Sequence, residues 1–316
     1  MYFDYPESPN IEQNGFYTKS FNIDDKTNIL LFYKKYGFVI IDNIISDNEC
    51  KKAESDIFKY LNITDTKSFA NHTEDNIVSR KPLFTPNIVN IRQNENIYKI
   101  FSMILNYKDL LVSHDLCYFL KPTKFVNINN KIINVDNWRT SKDIYIDIDL
   151  VNINNSEIIL NKLNYTNTKN FVYENFIVDL NNKNINGLIS INNNTEFDGG
   201  FSCVPGFHKY FEYWLEHNKN NFHNNNLLNY NNYKFNNDDP INKKLVKINI
   251  KKGSLLIWDQ RIPYSIEQNY SANHWLAQKI KYMYKFKNFS RKTTLMMYLK
   301  SVCNDIKINN ILKNSI

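Results

Sequence analysis

Residues 144–150 read IYIDIDL, an alternation that places Ile144, Ile146, Ile148 and Leu150 on one face of a strand and Tyr145, Asp147 and Asp149 on the other. Two carboxylates and a phenol on one surface are oxygen donors of the kind that hold a cation. The competing reading is an ordinary solvated strand face. The histidines offer less. His114 and Asp115 are adjacent, so on a strand they point to opposite faces and cannot chelate together. His72, His217 and His223 lie in polar stretches that read as solvated loops. Cys50, Cys117, Cys203 and Cys303 are far apart and form no C-x-x-C pair, which argues for reduced, mostly buried thiols rather than a zinc ribbon or a disulfide framework.

Elements that could position these groups are legible along the chain. Residues 1–24 read as an extended arm packed on the surface, and residues 25–316 as a single domain. Asp24 or Asp25 can cap a helix over Ile29, Leu30, Phe32 and Tyr33 that stops at Gly37. A β-branched run, FVIIDNII, follows at 38–45, and Ser46 with Glu49 three residues on makes a capping box for an amphipathic helix. Residues 63–79 look irregular and 96–106 helical. Thereafter come strands, including DLLVSHDLCYFL, KIINVD, FVYENFIVDL, NGLISIN, KLVKINI and SLLIWDQ. Many short strands after an early helical region predict a mainly β (α+β) fold, a jelly roll braced by N-terminal and C-terminal helices. The Asn-rich stretches 152–170 and 216–239 cannot bury enough apolar surface to order themselves and are expected to be long loops.

With 316 residues, 42% of them hydrophobic and 15% aromatic, the chain can bury a core without staples. Its formal net charge is +7, but the lysines are dispersed among 32 acidic residues and no nucleic-acid module is visible; a DNA-associated role would rest on the spare lysines alone. An acidic, proline-punctuated start and the lack of an 18-residue apolar run predict a cytoplasmic protein with neither signal peptide nor membrane span. The richness in Ile, Asn, Lys and Tyr is the bias an AT-rich genome imposes.

Three blocks, YGFVIIDNIISDNEC (36–50), DGGFSCVPGFHKYFEYW (198–214) and KKGSLLIWDQRIPYSIEQNYS (251–271), resemble in order and spacing the phytanoyl-CoA dioxygenase family. The resemblance spans about residues 30–285. It implies a double-stranded β-helix in which a His-x-Asp and a distal His hold iron(II), and an Arg beyond the distal His seats 2-oxoglutarate. IYIDIDL falls at the His-x-Asp, so Asp147 keeps the acid and Tyr145 replaces the first imidazole. Tyr264, in IPYSIEQN, stands at the distal His, and Trp275, in HWLAQKI, at the Arg.

A phenol with a pKa of about 10 is a weak ligand for iron(II) at neutral pH, and an indole offers no charge to a carboxylate. The resemblance therefore implies a vestigial metal site at Tyr145, Asp147 and Tyr264, a vestigial anchor at Trp275, and no cation to seat a dicarboxylate. The expected function is an inactive phytanoyl-CoA dioxygenase-like protein acting as a binding or structural protein for an unidentified protein or small molecule. It would have no cofactor, and any metal would rest on Asp147 alone. The alternative is an active 2-oxoglutarate dioxygenase, a hydroxylase using iron(II) through unusual ligands. Asp147 would otherwise serve as hydrogen-bond partner to Tyr145 and Tyr264. Asp149 takes an Asn-like family position and bonds to nearby backbone. His208 and Arg261 match family residues that are neither ligand nor anchor. His274, ten residues beyond Tyr264, would turn inward only through a register slip.

Overall fold

The computed structural model describes residues 5–71, 78, 83–112, 116–148, 185–222 and 233–284. Helix α1, Lys26–Tyr36, forms because Ile29, Phe32, Tyr33 and Tyr36 recur at helical spacing and are all buried. Gly37 ends it at φ 76°, returning its N–H to the Tyr33 carbonyl; a Cβ there would also lie 2.4 Å from His208 Nδ1. The expected Asp25 cap is not made, since its side chain instead accepts from Asn28 Nδ2. In α2, Asp47–Tyr60, the capping box is complete: Ser46 Oγ accepts from the Glu49 N–H, and the Glu49 carboxylate accepts from the Ser46 N–H at 2.7 Å. Short α3, Pro86–Arg92, was not anticipated from the sequence. Asn94 caps α4, Glu95–Leu105, through the N–H groups of Asn96 and Ile97.

The strands are β1 (Gln13–Asn14), β2 (Tyr17–Thr18), β3 (Phe38–Ile41), β4 (Leu110–Val112), β5 (Cys117–Leu120), β6 (Val126–Ile128), β7 (Lys131–Ile133) and β8 (Tyr145–Ile146). They continue with β9 (Ile185–Ser190), β10 (Gly200–Cys203), β11 (Tyr233–Lys234), β12 (Val246–Lys247), β13 (Leu255–Asp259), β14 (Tyr264–Glu267), β15 (Trp275–Ile280) and β16 (Tyr282–Tyr284). Two five-stranded antiparallel sheets, in the orders β3-β13-β9-β15-β5 and β11-β8-β14-β10-β12, enclose the main core and make the jelly roll. On the first sheet alternate residues face opposite ways. Trp275, Ala277 and Lys279 of β15 look toward the second sheet. Leu276 and Gln278 look toward the helices, where Gln278 Nε2 donates to the Ile88 carbonyl of α3. Gly187 of β9 faces the helices too, and a Cβ there would meet the Phe101 ring of α4 at 2.8 Å.

A second apolar cluster lies on the other face of β8, where Ile144, Ile146 and Ile148 pack with Phe207, Trp214 and Tyr233. It corrects two expectations. Helix α5, Phe211–Phe222, runs into the stretch assigned to an Asn-rich loop, while Tyr233 and Phe235 return from it as buried aromatics. The N-terminal arm is more than a surface strap: Tyr5 joins this cluster and Phe21 the main one. Within 63–79, Thr66–Asn71 is a 3₁₀ turn. Cys50, Cys117 and Cys203 are buried free thiols. Residues 152–170, the FVYENFIVDL strand, Cys303, His72, His114, Asp115, His223 and the C-terminal helices lie outside the described residues.

Candidate functional site

The strand expected over 144–150 is short. It ends at Ile146 because the Ile148 N–H folds back to the Ile146 carbonyl at 2.9 Å, leaving Asp147 at the tip of a three-residue turn. The carbonyl this frees on Asp147 accepts from Gln260 Nε2 at 3.1 Å. The Asp147 side chain, 1% exposed, points between the two sheets. Its Oδ1 accepts the Tyr264 O–H at 2.9 Å, and its Oδ2 accepts Asn186 Nδ2 at 2.9 Å and Lys279 Nζ at 3.0 Å. Donors from β14, β9 and β15 thus converge on one acid. Phe201 and Trp258 wall it on one side: Tyr264 stacks on Phe201 at 5.6 Å, and Trp258 lies 4.7 Å from Phe201.

The Lys279 ammonium is a cation inside a barrel that was expected to hold none to seat a dicarboxylate. A buried carboxylate without a partner is costly, and the amine removes that cost by forming a paired, hydrogen-bonded ion pair. Neither Lys279 nor Asn186 was picked out from the sequence. The signal was present, because Lys279 shares the face of Trp275 by strand alternation and is the one charged residue in WLAQKI.

Of the residues expected here, Tyr264 and Asp147 meet and Tyr145 does not join them. Tyr145 is the cross-strand partner of Tyr264, yet its O–H turns to Asp143 Oδ2 at 3.0 Å; burial, then the Asp143 charge, pushes the phenol's pKa up. Trp275 is buried, its Nε1 donating to Ser190 Oγ at 3.2 Å and its ring stacked on Tyr118. His274 faces outward, with Nε2 2.7 Å from Glu54 Oε1 of α2 and its ring against Phe58. Arg261 is engaged bidentately by Asp259 at 2.8 and 2.7 Å, and Tyr33 donates to the same carboxylate. His208 lies beside the end of α1; burial lowers its pKa, and its Nδ1 has no hydrogen-bond partner. Asp149 lies outside the described residues.

These donors do not fit a ferrous ion. Both Asp147 oxygens are occupied by proton-bearing groups, one of them cationic. The neighbouring phenol donates rather than accepts, and among the described residues no group of three or more His, Cys, Asp or Glu converges. At the anchor position an indole fills the core.

Comparison with known proteins places this geometry. No family profile matches the chain. Its fold is that of the 2-oxoglutarate oxygenases. HygX from Streptomyces hygroscopicus, solved with nickel and 2-oxoglutarate bound, matches 82% of this chain and 87% of its own at a TM-score of 0.50 and 14% identity. SnoK, a non-haem α-ketoglutarate-dependent carbocyclase from nogalamycin biosynthesis, matches 88% of this chain and 93% of its own at a TM-score of 0.50 and 13% identity. In sequence the chain is similar to a phytanoyl-CoA dioxygenase: it is 29% identical over 310 residues to the "Putative phytanoyl-CoA dioxygenase" of Dictyostelium discoideum, covering 86% of this chain and 84% of that protein. Among the described residues no helix is long and apolar enough to cross a membrane.

Proposed function

We propose that this chain is a non-catalytic phytanoyl-CoA dioxygenase-like protein, whose barrel interior serves as structural core and whose role is that of a binding or structural protein. The observation that carries the reading is Lys279 Nζ on Asp147 Oδ2 at 3.0 Å. In this fold family the carboxylate's charge is met by a metal; here a covalently tethered ammonium meets it. Tyr264 and Asn186 donate to the same carboxylate, so both of its oxygens are already engaged by proton donors that a metal would have to compete with. Trp275 adds an independent obstacle, since its indole stands where the co-substrate's charged anchor would be needed. For the binding half of the reading, Phe125 and Ile132 beside and on the β6–β7 hairpin are 71% and 70% exposed and are apolar groups a partner could cover.

Anaerobic calorimetric titration with iron(II) and 2-oxoglutarate tests it, together with 2-oxoglutarate-dependent succinate release. We expect no saturable heat and no succinate above background. Stoichiometric iron uptake with succinate release would replace this reading by its rival, an active 2-oxoglutarate dioxygenase. The rival is favoured by the dioxygenase name of the Dictyostelium relative and by the 2-oxoglutarate bound in HygX, and requires Lys279 to leave Asp147.

A further inference from the structure

We propose that Lys279 and Asn186 become joined by an autocatalytic isopeptide bond, with Asp147 as the proton carrier. The inference rests on the reading that Asp147 serves the barrel rather than a metal. Three features point to it.

First, the two nitrogens are held by one oxygen: Asn186 Nδ2 and Lys279 Nζ both donate to Asp147 Oδ2, at 2.9 and 3.0 Å. Second, the strand register places both residues on one face. β9 and β15 pair antiparallel with Lys279 opposite Leu188, so Asn186 is the diagonal same-face neighbour, a separation that a lysine side chain spans. Third, Asn186 Oδ1 is buried with no hydrogen-bond partner, so one hydrogen bond through Nδ2 is all that holds the amide against a flip that would turn its carbonyl toward Asp147. The site is dry as well. Asn186, Asp147 and Lys279 are 0%, 1% and 6% exposed, and Trp258, the cross-strand neighbour of Asn186, is at 1%.

The chemistry balances without an oxidant or co-reactant. Lys279 Nζ passes a proton to Asp147 Oδ2, and the neutral amine attacks Asn186 Cγ. The Asp147 proton goes to Asn186 Oδ1, giving a tetrahedral carbon that still carries a protonated Nζ. Asp147 then takes a second proton from Nζ and delivers it to Nδ2; as the Cγ–Nδ2 bond breaks, the Oδ1 proton returns to Asp147 and the carbonyl reforms, so the acid finishes protonated. The Nζ–Cγ bond replaces the Cγ–Nδ2 bond, ammonia leaves, and no atom changes oxidation state. Aimed proton transfer and fixed proximity are the accelerating factors.

Intact-mass measurement and peptide mapping of the purified full chain test the proposal. The expected result is a mass one ammonia below that of the sequence, and a branched peptide joining the segments that contain Asn186 and Lys279. Asp147→Asn and Lys279→Arg should each restore the full mass. Asn186 precedes Gly187, a pair prone to succinimide formation with the same loss. Ammonia loss that persists in Lys279→Arg, or that maps to Asn186 with Lys279 free, would overturn the cross-link. So would a wild-type chain of full mass, or loss of water with Lys279 joined to Asp147. A full-mass chain that takes up no iron sinks the cross-link alone, whereas iron uptake sinks the functional reading.

Discussion

Strand β15 and the residue just before it carry two acid–base contacts on opposite faces, and they differ in what surrounds them. On the inner face Lys279 meets Asp147 at 3.0 Å, the side chains 8% and 1% exposed. At the outer edge His274 meets Glu54 at 2.7 Å, with both side chains about a quarter exposed. The distances are alike. The inner pair has no water to fall back on, so losing one partner strands a charge, whereas the outer pair can rehydrate. A contact's length therefore says little about its worth, and burial says much. Lys247 on β12 supplies a third case: its stem is partly exposed, but its Nζ is buried with no hydrogen-bond partner, and burial draws its pKa down to about 7.

The largest effect expected is at the inner pair. Lys279→Met leaves Asp147 buried without its amine partner, whether that amine is ion-paired or already joined to Asn186, and should cost about 3–5 kcal/mol in denaturant unfolding. Adding Asp147→Asn should recover much of that loss, because the coupling lies between the two groups. Equal losses in single and double variants would dissolve the contrast between the faces.

Next comes Lys247. Its folded pKa of about 7 lies below the ordinary 10.5, so between these values the unfolded chain binds more protons and stability rises with pH. Lys247→Met should flatten that rise and stabilise the protein at pH 6 by on the order of a few kcal/mol, the gain fading as pH approaches 10.5. Unfolding curves of the two proteins at several pH values check it; parallel pH dependence would show that the amine finds water.

The smallest effect belongs to the outer pair. The His274 contact, with Asn192 second, holds the Glu54 carboxyl below its ordinary 4.5. A depressed carboxylate contributes stability above that value and loses it as pH falls through the folded pKa. Glu54→Gln should accordingly cost roughly 1 kcal/mol at pH 6 and almost nothing in acid below the folded pKa, read from the same unfolding curves.

Much of the architecture was readable before any coordinates. Gly37 as a stop, Ser46 with Glu49 as a start, and the isoleucines of 144–148 against an apolar layer all follow from local rules that tertiary context did not overturn. The centre was half readable. Tyr264 could be placed beside Asp147, but Lys279 and Asn186 were passed over because a lysine or asparagine in a strand reads as a wet-face residue. Only the pairing of β15 with β9 reveals that their face is enclosed. The seven-residue alternation also overstated the strand, since alternation persists through an extended turn that no partner strand extends. Helix α5 was obscured by composition: asparagines suggested a loop, while the signal for a helix lay in Phe211, Trp214 and Leu215 ahead of them.

The arm has a consequence for how the chain is assembled. The Tyr5 hydroxyl reaches Asp239, 234 residues away, and Ser8 reaches the Lys244 carbonyl, 236 residues away. The arm must therefore wait for a segment 234 to 236 residues further along the chain before it can dock, and closing so long a loop is slow. Until then the apolar layer over β8 lacks Tyr5, and a nascent chain in that state exposes apolar surface on which copies can aggregate.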